Sequence, residues 1–220
     1  MKLIETRHCH LLDGYFGPEV VAGFTKTGLA GVLPDDLRTA LSYLQNDFQV
    51  GYLKQIHSSL THRIHQAGIY EGDGLFTHER NLAVAVRTAD CLPLIFYSQL
   101  LGVIGVVHMG WRGAAEGILS SLPYDASSFK VIAGPGLRLC CYEVGESFLK
   151  HTLLEPFVER RSNRFYFDPI AFARSSLMAR GLLENNFHDM STCSICSAQD
   201  LFSYRKNKTF NRHLSFIVKL

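Results

Sequence analysis

Three side chains in this sequence stand where a soft metal ion or a nucleophile would be wanted. They are His57 in Gln55-Ile-His-Ser58, Cys91 in Thr88-Ala-Asp-Cys-Leu-Pro93, and His108 in Val107-His-Met-Gly-Trp-Arg-Gly113. Each follows an apolar run that reads as a strand, so each falls at a strand end. A thiolate and two imidazoles make the mixed N/S donor set that Zn²⁺ prefers. Three protein ligands also leave a fourth position for water or substrate. The same residues read without a metal as well. The chain has ten histidines, and one near a strand end is commonly a surface or satisfied core residue. Cys91 as nucleophile with His108 as its base needs only two groups within hydrogen-bond reach and has no use for His57.

The neighbours of the trio suggest auxiliary roles. Asp90 could orient a ligand or handle a proton. Arg87, Arg112 and Arg205 are cations able to hold an anion, and Arg112 could equally pair with a buried carboxylate such as Asp90. Trp111 could stack on a planar ligand or simply pack. Gly110 and Gly113 allow close backbone approach. No HExxH, P-loop or zinc-deaminase signature occurs, and Gly134-Pro-Gly136 lacks the third glycine of a dinucleotide fingerprint.

The elements that must position these residues are mostly strands. Strands are expected over Leu3–Leu12, Val20–Thr25, Tyr52–His57, Leu82–Arg87, Leu92–Tyr97, Leu101–His108, Phe129–Ala133 and His213–Val218, with a loop at Glu71-Gly72-Asp73-Gly74 leading into Leu75-Phe76-Thr77. Leu37, Leu41, Leu44 and Phe48 follow helical spacing after an acidic start at Pro34-Asp35-Asp36. A second helix begins at Ala114–Leu119, and a third runs from Asp168 to Leu183 with Asp168-Pro169 as cap and first residue. Strands outnumber helices and the two are interspersed, which favours a layered α+β fold over a doubly wound sheet.

Composition sets the frame. The chain has 220 residues, 47% hydrophobic and 19% charged, with a net charge of +2. That is an ordinary globular balance, and without a basic stripe it implies no nucleic-acid partner. One domain over 1–220 is the simplest organisation. The start of the chain shows no apolar signal segment, so a cytoplasmic protein with free thiols is expected. Leu92 to Trp111 carries no charged residue, but Pro93, Ser98, Gln99 and three glycines interrupt it. It reads as two core strands joined by a turn near Ser98-Gln99 rather than a membrane span. A monomer is the default.

Taken in order and at their intervals, Gln55-Ile-His-Ser58, Arg87-Thr-Ala-Asp-Cys-Leu-Pro93, His108-Met-Gly-Trp-Arg-Gly113, Gly134-Pro-Gly-Leu-Arg-Leu-Cys-Cys-Tyr-Glu-Val144 and Phe202-Ser-Tyr-Arg205 resemble the YfiH family. It is also known as the multicopper polyphenol oxidase or laccase-domain family. The resemblance runs from about Phe24 to the C-terminus. It implies a four-layer αββα sandwich, shared with the catalytic domain of a bacterial deamidating toxin, and zinc on His57, Cys91 and His108. It implies phosphorolysis of adenosine, inosine, guanosine and methylthioadenosine, together with deamination of adenosine. On that reading Cys91, His108 and Asp90 are catalytic. Arg112, Arg87, Arg205, Trp111, Ser58 and Gln55 would then face nucleoside or phosphate. Other chemistries compatible with the family are a metal-free Cys-His hydrolase, a zinc amidase editing peptidoglycan precursors, and a non-catalytic binding protein acting with envelope proteins.

The older family label implies copper-dependent phenol oxidation. A multicopper oxidase needs many histidines in His-x-His pairs, and one such pair is visible, His8-Cys9-His10. The sequence departs from the family near its start. Where Thr-x-Arg and paired glycines are usual, it has Gly23-Phe-Thr-Lys-Thr-Gly28, with Lys26 as the cation. Gly72-Asp73 stands for the usual Ala-Asp pair. Cys140 and Cys141 are expected to wall the site in preference to a redox role. For Cys193 and Cys196 to bind a second zinc, two further ligands are needed that sequence alone does not single out.

Overall fold

The structure is a computed structural model, and it describes residues 2–44, 47–198 and 201–220. The chain opens with β1 (Lys2–Glu5), β2 (Cys9–Asp13), β3 (Val20–Thr25) and a short helix α1 (Asp35–Ala40). Four strands follow, β4 (Gln49–Lys54), β5 (Thr61–Arg63), β6 (Gly68–Glu71) and β7 (Gly74–Thr77). Then β8 (Leu82–Thr88), β9 (Leu92–Ser98) and β10 (Val103–Met109) lead into α2 (Trp111–Ala115). After β11 (Lys130–Ala133), the strands β12 (Glu143–Val144), β13 (Val158–Arg161) and β14 (Arg164–Phe167) precede α3 (Pro169–Met178). The chain closes with β15 (Phe187–Asp189), α4 (Tyr204–Asn207) and β16 (His213–Lys219).

Among the described residues the strands form a seven-stranded sheet in the order β1-β2-β3-β16-β8-β4-β6 and a six-stranded sheet β15-β11-β9-β10-β7-β5. A small sheet β12-β14-β13 stands apart. The two large sheets pack face to face, and alternation along the strands explains why their apolar runs are continuous. In β9 and β10, Ile95, Tyr97, Ile104 and Val106 point to the same core as Val84 and Val86 of β8 and Ile217 of β16. The intervening Leu92, Leu94, Phe96, Val103 and Val107 point to the opposite face, where Ala114, Ile118, Phe172, Ala173 and Leu177 cover them. On the far side of the seven-stranded sheet, Ala83, Ala85, Leu214 and Phe216 meet Leu37, Ala40 and Leu41. The central strands β9 and β10 are thus buried on both faces, so both of their parities are apolar. The result is the αββα layering.

Most expected strands occur, with instructive differences. The segment expected as one strand over Leu3–Leu12 is a hairpin, because Thr6 bonds back to Cys9 through its backbone N–H and its hydroxyl. β8 follows the same apolar pattern as β9 and β10 but lies in the other sheet. The run from Leu92 to Trp111 is β9, a turn in which Gly102 N–H donates to Gln99 O, and β10. No helix among the described residues is long and apolar enough to cross a membrane. The helix expected at Pro34 stops at Ala40, and part of its expected continuation, residues 45 and 46, lies outside the described residues. The helix expected at Ala114 begins at Trp111 and ends at Ala115. The helix after Asp168 has the expected cap, with the Asp168 carboxylate accepting from Ile170 and Ala171 N–H. It ends at Met178, ahead of Gly181, which has φ +91°.

Candidate metal centre and the adjoining cavity

His57, Cys91 and His108 meet at one edge of the sandwich. Their potential donor atoms all lie within 4.8 Å of one another. His57 Nε2 is 4.0 Å from Cys91 Sγ, and the two imidazole centroids are 4.8 Å apart. His108 is the penultimate residue of β10, and its position opposite Pro93 on β9 brings the Cys91 turn alongside. His57 sits in the loop after β4 with φ 60°, a left-handed conformation that a non-glycine residue adopts only when its surroundings enforce it.

That enforcement comes from Asp73, a residue whose role the sequence reading missed. Its fully buried carboxylate accepts the N–H groups of Ile56, His57 and Ser58 at 3.3, 3.1 and 2.6 Å, and the Ser58 hydroxyl at 2.9 Å. It also accepts from His108 Nδ1 at 2.7 Å. Its own carbonyl takes His108 N–H at 2.7 Å. One carboxylate therefore folds the His57 loop and fixes the His108 ring. With Nδ1–H committed to Asp73, Nε2 is the His108 nitrogen that would give its lone pair to a bound metal, which is how a carboxylate orients a metal-binding histidine. The only sequence sign of this is an aspartate between glycines, Gly72-Asp73-Gly74, at a polar break between strands.

The glycines of the His108 motif are required by contact. A Cβ on Gly110 would stand 2.8 Å from His57 Cδ2 and 3.3 Å from Cys91 Sγ. A Cβ on Gly113 would stand 2.6 Å from the Ser58 carbonyl oxygen. The electrostatics couple the three donors. Burial disfavours ionisation of Cys91, but His108 and His57 outweigh it and bring the thiol down to about 6. Burial likewise disfavours the His108 cation, but the Cys91 thiolate and Asp73 outweigh it and raise the imidazole to about 9. Asp73 is itself pushed up by burial, yet its bonds to His108 and Ser58 hold it below the ordinary carboxylate value.

Trp111, the residue after Gly110, lines a cavity of about 260 Å³ together with Tyr142, Glu143, Phe148, His151 and Arg205 among others. Trp111 packs on Phe148 and His151 at centroid distances of 5.7 and 5.2 Å. Arg205 lies over the Tyr142 ring at 4.9 Å and donates to Glu143 O at 2.6 Å. Arg112 stacks on the indole of Trp111 at 4.8 Å and is exposed.

The remaining residues singled out from sequence are placed differently. Asp90 accepts Ser194 Oγ and the backbone N–H of Arg205, each at 2.7 Å, so it ties two distant loops together and does not pair with Arg112 through either bond. Gln55 clamps the backbone of Arg87, accepting its N–H at 2.7 Å and donating to its carbonyl at 2.8 Å. The Arg87 side chain faces the α1 side of its sheet, where burial and then the nearby Arg212 charge lower its proton affinity. Ser58 is occupied by Asp73. Lys26 bonds to Glu5 and to the Thr6 carbonyl. Cys140 and Cys141 do not stand alone as a wall. Their sulfurs gather with those of Cys193 and Cys196.

Residues 35–219 match the family described as Multi-copper polyphenol oxidoreductase laccase. The chain belongs to this laccase-like YfiH family. Among its relatives, a protein of Borreliella burgdorferi named "Purine nucleoside phosphorylase" is 30% identical over 181 residues, spanning 75% of this chain and 77% of that protein. One of the same name from Aquifex aeolicus is 36% identical over 157 residues, spanning 68% and 72%. The fold is that of the Bacillus licheniformis hypothetical protein YfiH, with a TM-score of 0.86 at 20% identity over 99% of both chains. It is equally close to YlmD from Geobacillus stearothermophilus, with a TM-score of 0.85 at 23% identity over 98% of this chain and 97% of that one.

Proposed function

We propose that this chain is a single-domain, zinc-dependent purine nucleoside phosphorylase that also deaminates adenosine. Its zinc would be held by His57, Cys91 and His108. The observation that carries the reading is the convergence of these three donors, braced by Asp73, with Trp111, three residues beyond His108, lining an aromatic cavity that has Arg205 in its wall. The names of the relatives supply the substrate class. The donor set fits the metal: two imidazole nitrogens and a sulfur suit zinc and leave a coordination position open. It does not suit a multicopper array. Among the described residues, the groups of three or more metal-binding side chains contain two histidines in all.

A bound zinc would supply Lewis acidity toward an oxygen of substrate or water. The chain's own residues do the rest. Trp111, Tyr142 and His151 offer ring faces for a purine. In phosphorolysis, a phosphate oxygen forms the new bond at ribose C1′ as the bond to the base nitrogen breaks. Arg205, aimed by Tyr142 and Glu143, and the exposed Arg112 are placed to hold the phosphate charge. Asp90 acts here as a positioning residue for Arg205 rather than a proton carrier, because both its oxygens are already engaged. Gln55 and Ser58 likewise support the backbone. Arg87 is farther from this chemistry, facing α1.

The test is a substrate panel on metal-loaded protein: adenosine, inosine, guanosine and methylthioadenosine with phosphate, and muramyl precursors in parallel, resolved by chromatography. Free base plus ribose 1-phosphate supports the reading, and loss of turnover in His57→Ala follows from it. Product only from muramyl precursors would replace it with the amidase reading. One observation favours a second reading. The lowered Cys91 thiol, the raised His108 and the Asp73 behind it are the arrangement a cysteine nucleophile needs. Activity that survives zinc removal and the His57→Ala substitution would select that reading instead.

A further inference from the structure

The second cluster of donors is unrelated to the cavity chemistry. Cys140 and Cys141 lie in the segment between β11 and β12, and Cys193 and Cys196 lie in the segment after β15. The two segments are laced by backbone bonds, Gly136 N–H to Thr192 O at 3.2 Å and Ser194 N–H to Gly136 O at 3.0 Å, which pair Gly136 with Cys193. This register brings all four sulfurs within 4.8 Å of one another. None is in a disulfide, and the Cys140–Cys196 separation is 3.4 Å.

The separations suit a shared ion better than a covalent bond. A tetrahedral zinc with Zn–S bonds of about 2.3 Å sets its sulfurs about 3.8 Å apart. A disulfide needs about 2.05 Å and would use two sulfurs of the four. A buried thiol normally packs as a small hydrophobe, yet Cys140 and Cys196 are exposed and still turn toward their partners. Cys140, Cys193 and Cys196 share the wall of one depression of about 440 Å³. Cys193-Ser-Ile-Cys196 is a chelating Cys-x-x-Cys spacing, and folding supplies the two missing ligands.

We propose that Cys140, Cys141, Cys193 and Cys196 form a second zinc site, closed by four thiolates and structural in role. Its effect is to staple two loops that frame the cavity. Cys140 and Cys141 directly precede Tyr142 and Glu143 of the cavity wall. The Cys193–Cys196 loop contains Ser194, which shares Asp90 with the backbone of Arg205. Zinc here would therefore order the wall without touching the reacting atoms. A closed four-thiolate set leaves no position for substrate.

The experiment uses the full chain, without a histidine tag, grown with zinc and purified under reducing conditions. Zinc per chain is measured by elemental analysis for the wild type, Cys193→Ser/Cys196→Ser and His57→Ala/His108→Ala. The expected result is loss of one equivalent in each variant relative to the wild type. The cobalt-loaded His57→Ala/His108→Ala chain should show strong thiolate-to-metal charge-transfer absorption. Chelation of its remaining ion should lower its Tm. If the cysteine variant does not fold, the histidine variant decides alone, since it retains all four thiols. A folded histidine variant without metal overturns the proposal and leaves the His57–Cys91–His108 reading intact. Zinc kept in the histidine variant, with none lost, overturns that first reading and leaves this one standing. A Cys140–Cys196 disulfide in protein held under reducing conditions also overturns it.

Discussion

Asp73→Asn tests the central physical claim about the site, that one carboxylate both folds the His57 loop and selects the His108 tautomer. Asparagine has the same shape but one acceptor oxygen where Asp73 uses two. If its oxygen keeps Ser58 and Ile56, its NH2 faces the donors of His57 and His108. If it keeps His57 and His108, it faces those of Ser58 and Ile56 instead. Either placement sets donor against donor at about two bonds. Hydrogen bonds to a charged group contribute about 1.5–3 kcal/mol each, which sums to about 3–6 kcal/mol. Solvent can reach the His57 side of the loop, so the low end, about 3 kcal/mol, is expected. For a domain of this size that lowers Tm by about 6–12 °C. His108 can relieve its clash by moving its proton to Nε2, but that removes the lone pair aimed at the metal. Zinc affinity at the trio should then fall about 10–100-fold, the usual effect of losing such an orienting partner. The assay is competition for zinc against a chromophoric chelator, run beside thermal unfolding. Wild-type affinity with an unchanged Tm would refute the reasoning.

Three further outcomes follow from the same geometry. Gly110→Ala should abolish zinc binding at the trio while destabilising the chain by only about 1–3 kcal/mol, because the new Cβ meets His57 and Cys91; elemental analysis and denaturant unfolding read the two effects separately. In metal-free protein, alkylation of Cys91 should rise with pH and level off above about 6. An ordinary thiol keeps gaining thiolate toward 9. The sign follows from the thiolate being the reactive form, and a plateau only near 9, followed by mass spectrometry of the modified peptide, would contradict it. Ile104→Ala, at a fully buried position in the core between the two large sheets, should cost about 2–5 kcal/mol in urea unfolding with zinc content unchanged.

The local sequence marked much of this. Continuous apolar runs ending in His108, before Cys91 and near His57 announced strand ends carrying soft ligands, because fully buried strands are apolar at both parities and stop where polar groups must reach solvent. The cap at Asp168 was legible for a similar reason, since an N-cap is built from residues a few positions apart. What the sequence left open depended on partners far along the chain. Asp73 lies 35 positions from His108, and nothing in Gly72-Asp73-Gly74 shows that β7 and β10 pair and bring the two together. Asp90, Gln55 and Arg87 look chemically poised as types, and only their contacts show Asp90 spent on Ser194 and the Arg205 backbone, Gln55 on the Arg87 backbone, and Arg87 turned toward α1. The same apolar pattern put β8 in one sheet and β9 in the other, a choice made by pairing with β16 and not by composition. Cys140 and Cys141 found Cys193 and Cys196 for the same reason: ligand types are local properties of a sequence, but a shared centre exists only where tertiary packing closes the long loops between them.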